Sequence, residues 1–376
     1  MSRGLRIALL SNTKSPNVGN GALALGMKNS FYNHLNQQGI EAPKFFPISW
    51  DDITFGGGIF PKSFFSTVNT FDALWVAGAV TFNGRAEHIF GGCRLNWARS
   101  DLDSLRVPII LGGISYRHWQ GTHYPNKGSL LRLLQDFASR ERVVMGFRND
   151  GTVDWLKQEI GWESMTSVEV PDPGYYAYAP SLRTTQCSGM IFTFNMEDAN
   201  KRFSGKDSEE ALTDALVETI SNFWNFYDEN IIFAPHSIED YSGLLKVISK
   251  LPKKLVHQNL RVLPMPSPNS IEEIYDSYKS VRVAISTRVH SMSPSIGMGT
   301  PTVIISTQER IQRFVTNIGM GDYMTEPMTA RLKLSEMTMQ LTVDSTKFIR
   351  RQEQATAKLD DLNFEFYSRV CKILSL

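Results

Sequence analysis

Arg288 and His290 stand two positions apart in the segment Val281–Ser306, VRVAISTRVHSMSPSIGMGTPTVIIS. A guanidinium holds a carboxylate or phosphate through paired N–H donors, and an imidazole changes charge near neutral pH. Together they would make an anion site with a proton donor built in. The flanking residues say where such a site would lie. Val281, Val283 and Ile285 suit a buried strand, and Val303, Ile304 and Ile305 suit a second one after the break at Gly299-Thr300-Pro301. Arg288, His290 and Ser291 therefore fall just past the carboxyl end of the first strand, where a helix begins. Open α/β sheets bind ligands at that edge, and a helix N-terminus adds free N–H groups and partial positive charge. The competing structural reading is a core turn with one buried salt bridge. Two bulky polar residues would be awkward at a purely structural strand end.

Other strand ends carry weaker candidates. Asn17-Val18-Gly19-Asn20-Gly21 follows the first strand and opens the first helix. Its glycines let backbone N–H groups approach an anion or a sugar, but the spacing is neither the dinucleotide fingerprint nor the P-loop. Gly78 with Asn83, and Gly112-Gly113, are small residues that clear space at a strand end or pack a helix on a sheet. Arg148-Asn149 sits at another strand end, with Arg140 and Arg142 read as solvated. His236, after Pro235 and before Asp240, would orient a ligand or cap a helix. His118 and His123 flank a short loop without a carboxylate or cysteine at ligand spacing, so no metal is expected. Lys246, Lys250, Lys253 and Lys254 read as a solvated helix face, with peripheral membrane contact as the alternative.

The elements that would position these residues alternate strand and helix. In the first part, strands are expected at Leu5–Leu10, Asp72–Ala77, Val107–Leu111 and Val143–Phe147. In the second they are expected at Met190–Phe194, Asn230–Ala234 and Leu260–Leu263, followed by the opening segment. Residues 171–189, rich in proline, tyrosine and small residues, read as the linker. The fold class expected is α/β, with two Rossmann-like domains facing a cleft in the GT-B manner. The domains would be 1–180 and 188–345, with a helix over 346–376 returning to the first. A net charge of +1 argues against a nucleic-acid binder. The three cysteines, far apart, form no disulfide framework and fit a reducing cytoplasm. The short apolar run near the start reads as a first strand, too short for a signal peptide.

With these residues in hand, the chain resembles the polysaccharide pyruvyl transferase family. Its N-x-G-[DN] loop is matched by Asn17, Gly19 and Asn20. Its R-D-x-x-S-x-x-x-L is matched by Arg148, Thr152 and Leu156, with Asn149 for the acid and Thr152 for the serine. Its D-P pair is matched by Asp172-Pro173, and its P-H-x-x-x-D by Pro235, His236 and Asp240. Its R-x-H-x-x-x-x-A-x-x-x-G-x-P is matched by Arg288, His290, Gly299 and Pro301, with Ser295 for the alanine. The pieces occur in family order over roughly residues 5–310. Asn149 lacks the family's negative charge, and Ala77-Gly78-Ala79 is poorer in glycine than is usual there.

The resemblance implies transfer of a pyruvyl group from phosphoenolpyruvate to two hydroxyls of a saccharide or lipid-linked saccharide. A cyclic ketal would form without a cofactor. On this reading His290 and Arg288 are catalytic, and Arg148, His236 and Ser291 join them around the donor. Asn17, Gly19, Asn20, Asn83 and His118 would face the acceptor, and Trp97, Tyr116, Trp119 and Tyr124 would stack on sugar rings or pack their own loops. Arg288→Ala is expected to leave the fold intact. The alternative is a heptosyltransferase-like GT-B enzyme using a nucleotide sugar. Such enzymes typically carry Asp and Gly where this chain has Arg288 and Val289, which favours a small anionic donor. The localisation expected is cytoplasmic, with membrane association as the alternative, and the oligomeric state is open.

Overall fold

A computed structural model of the 376-residue chain describes residues 4–11, 17–55, 57–78, 80–83, 92–119, 121–163, 167–178, 187–203, 205–265 and 271–376. Two compact units emerge. Unit 1 holds the start of the chain, Leu23–Pro173 and Lys358–Leu376. Unit 2 holds Gly174–Ala357 and the opening turn of the helix Val18–Gln37, through Ala22.

The strands of unit 1 are β1 (Arg6–Ser11), β2 (Lys44–Ser49), β3 (Ala73–Ala77), β4 (Val80–Phe82), β5 (Ile109–Tyr116), β6 (Val143–Arg148) and β7 (Ser167–Val170). They pair in parallel in the order β2-β1-β3-β5-β6-β7, with β4 added to the end of β5. Alternation along each strand sends side chains to two separate cores. Ala8, Leu10, Leu74, Val76, Ile109, Leu111, Met145 and Phe147 join one layer. Ile7, Leu9, Ala73, Trp75, Ala77, Ile110 and Val144 join the other. That second layer is closed by Met27, Phe31 and Leu35 of the 18–37 helix and by Phe366, Tyr367, Val370 and Cys371 of the helix Thr346–Leu374. Tyr367 Oη lies 2.5 Å from Ser30 Oγ in the same layer. The carboxyl-terminal helix thus covers a face of the first sheet. Each such buried side chain is worth roughly 1.5–3 kcal/mol.

Unit 2 carries β8 (Met190–Phe192), β9 (Ile231–Phe233), β10 (Leu260–Val262), β11 (Val283–Ser286), β12 (Thr302–Ile305) and β13 (Met324–Thr325). They pair in parallel in the order β10-β9-β8-β11-β12-β13. Counted from β8 this is 3-2-1-4-5-6, the dinucleotide-fold order, and the direction of progression reverses between β8 and β11. Crevices at such a reversal are the usual ligand sites of open α/β sheets.

The sequence reading omits β2, β4, β7 and β13. β2 contains Pro47, which a central strand would not tolerate, but β2 is an edge. β4, β7 and β13 are short and interrupted by Thr81, by Ser167 and Glu169, and by Thr325, so no continuous apolar run marks them. In β5 the register shifts between Leu111 and Ile114, and Gly113 adopts φ 67°, a bulge no side-chain-bearing residue would favour. Among the described residues no helix is long and apolar enough to cross a membrane.

Candidate active site at the second sheet

The strand pair at the reversal is extended by hydroxyls. Thr287 N–H donates to Thr193 Oγ1 at 3.0 Å, and Asn195 N–H donates to Thr287 Oγ1 at 2.7 Å. This stitching carries the chain past β8 to Glu197 and past β11 to Arg288. Arg288 adopts extended geometry as N-cap of the helix Val289–Gly297, where the sequence places it.

The Arg288 guanidinium is not a bare anion anchor. Its Nε donates to Asp240 Oδ2 at 3.0 Å and its Nη2 to Asp240 Oδ1 at 2.6 Å, a two-pronged pair with a fully buried carboxylate. Nη2 also donates to Ser237 Oγ at 2.6 Å, and Nη1 reaches Glu197 Oε2 at 3.3 Å. Asp240 is further fixed by the N–H groups of His236 and Ser237. The P-H-x-x-x-D motif is therefore the socket for this guanidinium. The expectation that Arg288→Ala leaves the fold intact needs correction. Removing one member of a buried pair strands the other charge, at a cost of about 3–5 kcal/mol.

His290 lies two residues on, half-buried in the first turn of the 289–297 helix. Its carbonyl would normally accept from the backbone N–H four residues later, but that residue is Pro294, which has none. Tyr275 Oη donates to it instead at 2.9 Å. The ring of His290 faces Gly19: a β-carbon there would stand 2.0 Å from His290 Nδ1. Glycine is thus required at position 19 by the imidazole against it. Asn17 is the N-cap of the 18–37 helix, its Oδ1 accepting from Gly19 N–H at 3.0 Å, and Val18 N–H donates to the His236 carbonyl at 3.3 Å. Asn20 is half-buried in the same turn. The opening of this helix, expected on the acceptor side, belongs with unit 2 and meets the expected acid.

His236 and Ser291 are internal to the site rather than facing it. His236 is buried with Nε2 at 2.9 Å from Tyr278 Oη. Burial, then the nearby Arg288 and His290, push its pKa well below the usual histidine value, so it stays neutral. Ser291 is buried, and its Oγ bonds Ser286 Oγ and donates to the Arg288 carbonyl.

The other expected residues lie in unit 1. Arg148 is fully buried and pairs with Asp172 at 2.9 Å. Asn149 Oδ1 accepts from Asp172 N–H at 3.0 Å, so the amide serves as a backbone brace where the family pattern carries an acid. Asp150 accepts from Thr152 Oγ1 at 2.6 Å and Ser115 Oγ at 2.8 Å, closing the knot. Asn83 is fully buried. His118 stacks on Trp155 at 4.7 Å between ring centroids, with Nδ1 2.6 Å from Glu159. Trp97, Tyr116, Trp119 and Tyr124 are all buried, which is the loop-packing alternative. Much of the expected specificity loop (84–91), residues 179–186 of the linker and Ala79 lie outside the described residues. Lys246 and Lys250 pair with Glu209 and Asp214 on a solvated helix face.

Glu197, Arg202, Tyr275 and Tyr278 escaped the sequence reading. Arg202 Nη1 reaches Thr307 Oγ1 at 3.3 Å, and its Nε donates to the Glu197 carbonyl. Burial, then repulsion from Arg288, lowers its pKa to about 9, with Arg310 adding to the effect.

Comparison with known proteins bears on what this site serves. No curated protein matches the chain. A glycosyltransferase from Rickettsia africae superposes with a TM-score of 0.55 at 9% identity, covering 99% of both chains. A protein described as a UDP-N-acetylglucosamine 2-epimerase, from Listeria monocytogenes, gives 0.55 at 9% identity over 96% of this chain and 94% of the other. At such identity these likenesses establish the fold alone, two Rossmann-like units of the GT-B type. A family model described as polysaccharide pyruvyl transferase matches residues 17–309, from the Asn17 cap to just past Thr307. The chain is a transferase and belongs to the polysaccharide pyruvyl transferase family.

Proposed function

We propose that this protein transfers the pyruvyl group of phosphoenolpyruvate to two hydroxyls of a saccharide, forming a cyclic ketal and releasing phosphate. The observation that carries the reading is that Arg288 and His290, two residues apart, stand at the helix start after the carboxyl end of β11, with the opening turn of the 18–37 helix against the imidazole. A donor with a carboxylate and a phosphate needs cations and N–H donors, and this corner supplies both.

In the proposed sequence His290 donates a proton to the methylene carbon of the donor. The electron pair of the carbon–carbon double bond forms the new C–H bond, and the adjacent carbon becomes electrophilic. One sugar hydroxyl adds to that carbon and loses its proton. Phosphate then leaves with the electron pair of its C–O bond, and a second hydroxyl forms a bond to the same carbon and loses its proton to the departing phosphate or to solvent. Arg288 holds an anionic group of the donor through the edge that Asp240 does not occupy. The reaction requires neither a redox cofactor nor a metal.

The test is phosphate release from phosphoenolpyruvate with and without saccharide acceptors, set against nucleoside diphosphate release from nucleotide sugars. Acceptor-dependent phosphate release is expected. His290→Ala should lower it about 10²–10⁴-fold, the scale of a lost general acid, with a smaller effect on donor affinity. Release of nucleoside diphosphate instead would replace this reading with the glycosyltransferase alternative.

A further inference from the structure

The inner edge of the Arg288 guanidinium is fixed to buried Asp240, whereas its outer nitrogen, Nη1, meets a different kind of partner. Glu197 has a side chain 39% exposed, and its carboxylate lies across that outer edge at 3.3 Å. We propose that Glu197 is a built-in counter-anion, holding the place that an anionic group of the donor takes and swinging aside when the donor binds.

Three observations converge. First, the backbone of Glu197 is tied while its carboxylate is not enclosed. Its N–H donates to Asn195 Oδ1 at 3.1 Å, and its carbonyl accepts from Arg202 Nε. A side-chain rotation therefore moves the charge without disturbing the strand end. Second, Arg202 stands near enough to Arg288 and to Arg310 to feel the charge of each. Arg202, Arg288 and Arg310 follow β8, β11 and β12 along the chain. Asp240 balances Arg288 permanently, because the pair is buried. Displacing Glu197 would leave the cluster with a positive excess that a carboxylate or phosphate neutralises. Third, the exposed member of the Arg288 network is Glu197, so it is the partner whose replacement by a ligand costs least.

The identification of the anion as part of phosphoenolpyruvate rests on the function proposed above, whereas the counter-anion role itself does not. The experiment is calorimetric titration of the full-length wild type, Glu197→Gln and Glu197→Asp with phosphoenolpyruvate and, separately, inorganic phosphate at fixed ionic strength. Glu197→Gln should bind both anions about three- to tenfold more tightly, the scale of losing a competing half-exposed ion pair. Glu197→Asp, which keeps the charge, should stay near the wild type. Unchanged or weaker binding by Glu197→Gln overturns the proposal, as does tighter binding by both variants alike, and so does a failure of every form to bind either anion. If phosphate tightens as expected but the wild type releases no phosphate from phosphoenolpyruvate, the donor assignment fails and the counter-anion role stands.

Discussion

A single methyl group separates Gly19 from alanine, and the structure leaves no room for it beside His290. The backbone has no objection, since position 19 is helical and alanine is the better helix former by about 1 kcal/mol. The three nearest atoms the methyl would meet all belong to His290. Gly19→Ala should therefore lower turnover about 10²-fold by displacing the proposed acid, with a much smaller change in the denaturant midpoint. Turnover near wild type would remove His290 from the reaction. His236 offers a different test at this scale. Its folded pKa lies below the unfolded value of about 6.5, so its contribution is present above that pH and is lost as the pH falls below it. Urea midpoints of the wild type and His236→Gln, compared at pH 7.5 and pH 5.5, should show the wild type losing more, by up to about 1.4 kcal/mol per pH unit. An equal loss in both would show that His236 does not carry the effect. The place of Arg288 and His290 at a helix start was legible because they stand two positions apart in one motif. Glu197 was not, because the residue that gives it meaning lies far along the chain at position 288.

The short helix that presents His290 contains its own weak point. Pro294 denies the His290 carbonyl its intrahelical partner, and Tyr275, from the helix Glu272–Ser280, supplies the donor. One element thus sets the backbone of another. Tyr275→Phe should cost about 0.5–1.5 kcal/mol of stability and lower turnover several-fold. Pro294→Ala restores the missing N–H, so in that background Tyr275→Phe should cost less. A double-mutant cycle with no coupling would refute the link. Local pattern could place these elements, since both show apolar periodicity or β-branched runs. It could not reveal that a tyrosine hydroxyl substitutes for a backbone bond. Nor could it show that Trp97, Tyr116, Trp119 and Tyr124, which look like sugar-stacking aromatics, are turned inward. Aromatic content in a loop is the same string whether the rings face a ligand or a core.

At the scale of the whole chain, alternation of strand and helix was enough to read an α/β fold, because buried parallel strands leave compact apolar runs. The strand order within each sheet was not readable, since nothing local says which neighbour a strand takes. Likewise, periodicity makes Val18–Gln37 one helix but does not say that its opening turn groups with unit 2 and the rest with unit 1. The carboxyl-terminal helix shows what such grouping means for stability. Phe366 is buried against Trp75 in the second layer of unit 1 and lies close to Gly146 of β6. Phe366→Ala should destabilise unit 1 by about 3–5 kcal/mol, read as a shift in denaturant midpoint. A shift below about 1 kcal/mol would mean that the tail is an accessory rather than a wall of the first core.

The two layers of unit 1 each enclose one thiol. Cys93 sits in the layer with Trp97 and Phe137, its pKa pushed up to about 12 by burial, and Cys371 sits in the layer closed by the carboxyl-terminal helix. Alkylating reagents attack the thiolate, so both sulfurs are shielded twice, by lack of access and by lack of charge. Cys187, half-buried, belongs to unit 2. With Cys187 replaced by serine, the chain becomes its own stopwatch. The labelling rate at Cys371 times the lifting of the last helix, and the rate at Cys93 times the opening of the opposite face. The two faces of one sheet can then be asked, without any added probe, whether they open together or one before the other.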